Sequence, residues 1–109
     1  MTDKPDPAPE SDDPQLLAAK LAGETAKIPW SQLQRFFAQG RAVEVRAGTD
    51  LIAVGTAMSR DETDRIETWM AEGRVRPVPD DQAKRWVSED ALVWALVVRP
   101  WVLVQAVSG

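Results

Sequence analysis

Cysteine, histidine and tyrosine are all missing from this chain of 109 residues. Without cysteine there are no disulfides and no thiolate nucleophile, and without histidine the most versatile proton carrier near neutral pH is gone. Together the two absences remove the ligands that dominate zinc and copper sites. Ser31, Ser59 and Ser88 have no histidine to activate them, and no Ser-x-x-Lys occurs. The glycines are isolated, forming neither a Walker loop nor a Gly-x-Gly-x-x-Gly pattern. The expectation is a protein that is not an enzyme, with no catalytic residues, no metal and no cofactor. Absence of disulfides fits a reducing compartment, and the Asp- and Pro-rich N-terminus lacks the basic-then-apolar order of a secretion signal, so a cytoplasmic location is expected. The longest apolar run, residues 91–104, is interrupted by Arg99 and Pro100 and is shorter than the roughly 20 residues of a membrane span.

The formal net charge of −4 is unevenly placed. Residues 1–13 carry five acids against one base, and the rest of the chain carries twelve of each. A folded part without net positive charge is a poor candidate for nucleic acid, which is bound through clustered Lys and Arg. Residues 1–13, acidic and proline-rich with almost nothing to bury, read as a disordered tail, and 14–109 as a single domain.

Along that domain, Asp13-Pro14 supplies a helix cap and a favoured first residue, with Leu17 and Leu21 one turn apart, giving a helix over 14–24. Pro29 opens a second helix in which Trp30, Leu33 and Phe37 share a face, stopped by Gly40. Val43 and Val45 alternate with Glu44 and Arg46 in a strand over 42–46 with one wet face. After a turn at Ala47-Gly48-Thr49-Asp50, a second strand over 51–58 sets Ile52, Val54, Thr56 and Met58 against the small Ala53, Gly55 and Ala57. These two strands are predicted to form a hairpin whose small-residue face lets a helix or an indole approach closely. Ser59 and Glu62 are spaced as a capping box for a helix over 60–72 with Ile66, Trp69 and Met70 buried. Residues 75–78 form a connector or short edge strand. A short helix then follows Asp80 and Asp81, with Ala83, Trp86 and Val87 inward and the pairs Asp80–Lys84 and Asp81–Arg85 on its surface. Leu92 to Val98 is apolar on both faces, a central strand. Arg99-Pro100 is either a hairpin turn or a bulge in one bent strand continuing over 101–107.

The segments Glu24-Thr25-Ala26-Lys27-Ile28-Pro29-Trp30-Ser31-Gln32-Leu33-Gln34-Arg35-Phe36-Phe37, Asp50-Leu51-Ile52-Ala53-Val54, Trp69 with Gly73, and Val97-Val98-Arg99-Pro100-Trp101-Val102-Leu103-Val104-Gln105 resemble a family of small bacterial proteins, domain of unknown function 2288. The resemblance spans about Leu16 to Gln105. It implies a compact bacterial protein and carries no activity, cofactor or catalytic residue.

Five tryptophans are the surplus that remains. Trp69, Trp86 and Trp94 sit on apolar stripes and read as core. Trp30, at a helix entrance, reads as core through its alignment with Leu33 and Phe37, or as an interface anchor. Trp101, next to Pro100 at a corner, is balanced between core and surface, and Arg99 beside it either presents a cation with a flat ring or is a solvated turn residue. The acidic pairs Asp61-Glu62, Asp80-Asp81 and Glu89-Asp90 fall at helix ends, where capping explains them.

The expected architecture is α+β, a three- to four-stranded antiparallel sheet with about four short helices packed mainly on one face. A sheet left open on its other face is covered by self-association in one solution. The expected function is a non-catalytic interaction module, a homodimer or a binder of another protein, acting through Trp101, Arg99, Pro100 and Trp30, with no nucleic acid or membrane as partner. The alternative is a small-ligand regulatory domain in which a Trp-lined pocket meets an anion through Arg99 or Arg46.

Overall fold

The computed structural model describes residues 13–107, so the expectation for residues 1–12 falls outside the described part, as do residues 108–109. Helix α1 (Pro14–Glu24) starts as its sequence dictates, with the Asp13 carboxylate accepting the Gln15 N–H at 2.9 Å and Pro14 in the first turn. The chain then enters strand β1 (Ala26–Pro29), an element the sequence reading lacks. Pro29 thus closes a strand instead of opening a helix. The Trp30 N–H donates to Ala91 O at 2.9 Å, and the predicted second helix is divided into a 3-10 turn (Trp30–Leu33) and α2 (Gln34–Ala38).

Strand β2 (Ala42–Val45) follows where predicted. The expected hairpin partner does not exist: residues 51–58 lie in helix α3 (Leu51–Ser59). The cause is Asp50, which caps the helix by accepting the N–H groups of Ile52 at 3.0 Å and Ala53 at 3.1 Å instead of completing a turn. Since Ser59 ends α3, it cannot cap the next helix, and the predicted capping box is not made. Helix α4 (Thr63–Ala71) has no side-chain cap, and Glu62 accepts hydrogen bonds from Arg60 and Arg65. Strand β3 (Val75–Pro77), helix α5 (Asp80–Ser88), strand β4 (Leu92–Val98) and strand β5 (Trp101–Ala106) complete the order. The pairs expected on α5 are absent from the ion pairs of the described residues, and Arg85 donates to Gln82 instead.

The sheet has five strands in the order β1-β4-β5-β2-β3 and is mixed, not wholly antiparallel, because β2 runs parallel to β5. The other pairings are antiparallel. Val98 opposes Trp101, so Arg99-Pro100 is the two-residue turn of a β4–β5 hairpin, with a cis peptide bond between them.

Helices cover both faces of the sheet, not mainly one, as alternation along the strands makes plain. Val93, Ala95, Val102 and Val104 point to one side, where they pack with Trp30 and Leu33 and with Ala83 and Trp86 of α5. Leu96, Val98 and Leu103 point to the other, against Leu21 of α1, Leu51 and Val54 of α3, and Trp69 of α4. The second sheet face, for which self-association was one solution, is packed by α1, α3 and α4. Glu44, expected on a wet face, is only 6% exposed beneath α5; its carboxylate accepts from Arg76 Nε at 3.1 Å and Gln82 Nε2 at 2.9 Å.

Candidate functional site

Trp101 opens β5 on the same side as Leu103, but the helices that bury Leu103 do not fully reach it. Helix α3 ends at Ser59, and the turn to α4, with Asp61 at φ +55°, leaves a gap beside the hairpin. Trp101 is 38% exposed there, and Met70 of α4 is 50% exposed. Between them lies a cleft of about 310 Å³ lined by Val43, Met58, Ile66, Met70, Val75, Pro77 and Trp101, with Gly40 and Arg76 at its borders. A second hollow of about 260 Å³ shares Met58, Ile66 and Trp101 and extends along Asp61, Glu62 and Thr63 to Val98, Arg99 and Pro100. The indole, with Met58 and Ile66, forms the wall common to both.

The charges around this wall are unequal in their engagement. Glu62 accepts from Arg60 Nε at 3.0 Å and Arg65 Nη1 at 3.1 Å, and these two bonds hold its carboxyl below the ordinary value of 4.5. Arg76 is held by Glu44 at 3.1 Å. Arg41 carries its backbone O on the Val102 N–H at 2.9 Å, and extending the β2–β5 register by one residue sets it beside Trp101. Neither Arg41 nor Arg99 has an ion-pair partner among the described residues. Arg99 thus lines the second hollow beside the part-exposed indole, and Arg41 is the neighbour of Trp101 in the strand register. Such a surface can take a bulky apolar group with a carboxylate close by.

Of the residues singled out from sequence, Arg99, Pro100 and Trp101 are together at one end of the sheet. Trp30 is not with them. It is 0% exposed on the opposite face, 5.0 Å from the Trp86 ring centroid and 5.9 Å from that of Phe37, so it is a core residue and not a surface anchor. Arg46 follows the far end of β2, where its carbonyl accepts from Gln105 Nε2 at 3.1 Å, so of the two arginines offered for an anion only Arg99 lies at this end of the sheet. Sequence reasoning missed Met58 by placing it on a strand, missed the exposure of Met70 by reading the whole α4 stripe as buried, and missed Arg41, which only the parallel β2–β5 pairing brings to the site. Among the described residues no group of three or more acidic side chains is arranged to hold a metal, and no helix is long and apolar enough to cross a membrane.

A family model described as "Protein of unknown function (DUF2288)" matches residues 16–106. The solution NMR structure of PA1075 from Pseudomonas aeruginosa is similar at 41% identity with a TM-score of 0.76, covering 85% of this chain and 86% of that one. No curated protein matches.

Proposed function

The chain belongs to that family of unknown function, and from the geometry of its own surface we propose that it is a non-catalytic interaction module whose hairpin cleft takes a bulky apolar side chain from an acidic segment of a partner protein. The observation that carries this is Trp101, 38% exposed between an apolar cleft and Arg99, which like its register neighbour Arg41 has no ion-pair partner among the described residues. A rigid indole at the centre of an apolar hollow is the kind of anchor that dominates interface energetics, and flanking cations select an acidic neighbour. The near-neutral folded part argues against nucleic acid. Loss of the uncovered sheet face leaves a second copy without its original argument, and an acidic segment of a different chain suits the two arginines better.

Peptide display on the full chain is the test. Selected sequences should pair Trp, Phe, Leu or Met with adjacent Asp or Glu. Trp101→Ala should weaken a selected peptide by about 30-fold, the size of a hot-spot loss near 2 kcal/mol. Arg99→Glu should abolish the preference for acidic flanks. Peptides without such a pattern, or equal binding by Trp101→Ala, would refute the proposal. A concentration-dependent mass in light scattering that disappears in Trp101→Ala would hand the cleft to a second copy of the chain.

A further inference from the structure

We propose that residues 1–12 of the chain itself occupy the hairpin cleft as a weak ligand in cis and compete there with the partner segment; the proposal rests on the interaction reading above and names what regulates that site. The first argument is charge. Asp3, Asp6, Glu10 and Asp12 stand against Lys4 alone, whereas residues 13–109 nearly balance, with thirteen acids and twelve bases. The surplus of negative charge is thus concentrated in one segment. At the cleft the imbalance is reversed: Arg99 lines the second hollow beside Trp101, Arg41 neighbours Trp101 in the strand register, and neither has an ion-pair partner among the described residues. Asp61 and Glu62 border the same hollow, but no ion pair joins either to Arg99 or Arg41, and Glu62 is held by Arg60 and Arg65.

The second argument is shape. Pro5, Pro7 and Pro9 alternate with Asp6 and Ala8 between the outer acids, and proline rings dock on exposed aromatic rings in the recognition of proline-rich segments. The cleft offers Trp101, 38% exposed, among Met58, Met70 and Pro77. Residues 1–12 contain no Trp, Phe or Leu, so a partner that brings one displaces them. The third argument is reach. The segment joins Asp13, which caps α1, and α1 packs through Leu21 on the sheet face that carries Trp101. A Cβ on Gly55 of α3 would lie 3.4 Å from Leu21 Cδ1, and three residues further along α3 stands Met58, which lines both hollows. At about 1.5 Å per helical residue and about 8–10 Å between packed helix axes, Asp13 and Met58 lie within about 30 Å of each other. Twelve residues at the rise of a polyproline helix span about 37 Å, enough to bring the prolines and acids to the cleft.

The absence of cysteine makes the test direct, because a nitroxide attached at Thr2→Cys of the full chain is the only label it carries. In ¹H–¹⁵N spectra the label should broaden the Trp101 indole signal and the Arg41 and Arg99 amides, and leave the Trp86 indole, on the opposite sheet face, sharp. Arg99→Glu, or salt at about 1 M, should restore the Trp101 signal. Asp3→Asn, Asp6→Asn and Glu10→Gln combined should tighten a display-selected peptide by about two- to tenfold, as expected when a tethered competitor at millimolar effective concentration holds roughly a half to nine-tenths of the sites. An unbroadened Trp101, broadening spread evenly over the surface, or broadening that survives Arg99→Glu would each overturn the proposal, and with peptide binding at Trp101 intact the interaction reading would still stand. Failed peptide selection beside a broadened Trp101 would instead sink the partner reading and leave the segment in the cleft. Broadening passed equally to unlabelled ¹⁵N chains mixed with labelled ones would assign the segment to a second copy and overturn the contact in cis.

Discussion

Gly55 is where helix α3 touches the sheet, and replacing it with alanine measures how closely the two are seated. A Cβ at this position would lie 2.7 Å from Leu96 Cδ2, 3.4 Å from Leu21 Cδ1 and 3.7 Å from Leu103 Cδ1. Carbon atoms rest at about 3.5–4.0 Å, so the Leu96 methyl must retreat by about 1 Å. Leu96 and Leu103 are both fully buried, and the retreat displaces their neighbours. Overpacking of this kind costs about 1–3 kcal/mol. Against it stands the gain of roughly 1 kcal/mol from replacing glycine inside a helix. The net expectation is a loss of about 1 kcal/mol, or a Tm lower by roughly 4–8 °C for a domain of this size.

Gly23 of α1 provides the control within the same molecule, because a Cβ there would meet nothing within 4 Å. Gly23→Ala should stabilise by about 0.5–1 kcal/mol through helix propensity and a less flexible unfolded chain. Urea denaturation of both variants, with m-values compared to exclude a change in the unfolded state, separates the two effects. Combining Gly55→Ala with Leu96→Ala should cost less than the two losses added together, since the new methyl enters the space vacated. Equal stabilisation by Gly55→Ala and Gly23→Ala would refute the close helix–sheet seating.

Asp50→Ala should cost about 1 kcal/mol, because Oδ1 serves two otherwise orphaned N–H groups at the start of α3; Asp50→Asn should retain most of it in the same urea assay. Glu62→Gln removes a carboxyl whose folded pKa is lowered, first by the bond from Arg60 and then by that from Arg65. The contribution of such a group is present above its unfolded value near 4.5 and is lost as pH falls through the lower folded value. The stability difference between wild type and Glu62→Gln should therefore be constant from neutral pH to about 5.5 and close toward zero in stronger acid, and a gap that widens with acidification would contradict it.

The sequence is legible where one local signal dominates. Asp13-Pro14 fixes the start of α1, and the unbroken apolar run from Leu92 to Val98 reveals β4 as a strand buried on both faces. Residues 51–59 are illegible by periodicity because they are apolar nearly all round, so Ile52, Val54, Thr56 and Met58 satisfy a period of two as readily as Leu51, Val54 and Met58 satisfy a helix. Only Asp50 distinguishes them, and the same residue type is equally at home in a turn. The small residues do mark a close approach, as expected of Gly55, but between a helix and the sheet. Strand β1 escapes notice because an edge of four residues ending in proline has almost no pattern to read. The parallel β2–β5 pairing is non-local, and with it the arrival of Arg41 beside Trp101.

What the fold does to the tryptophans decides where function is to be sought. One layer consumes Trp30 and Trp86, whose rings meet at a tilt of 54° with centroids 5.0 Å apart. On the other face Trp94 lies beneath Lys27 at 5.2 Å and Trp69 beneath Arg65 at 4.8 Å, each indole half covered by its own cation. Trp101 has no such cover because α3 stops at Ser59, one hairpin short of it, and the cations beside it are left unengaged by the acids that hold Arg60, Arg65 and Arg76. An arginine that has its own carboxylate is part of the scaffold; Arg99 and Arg41 have none among the described residues, which makes this corner the place to test for an acidic partner.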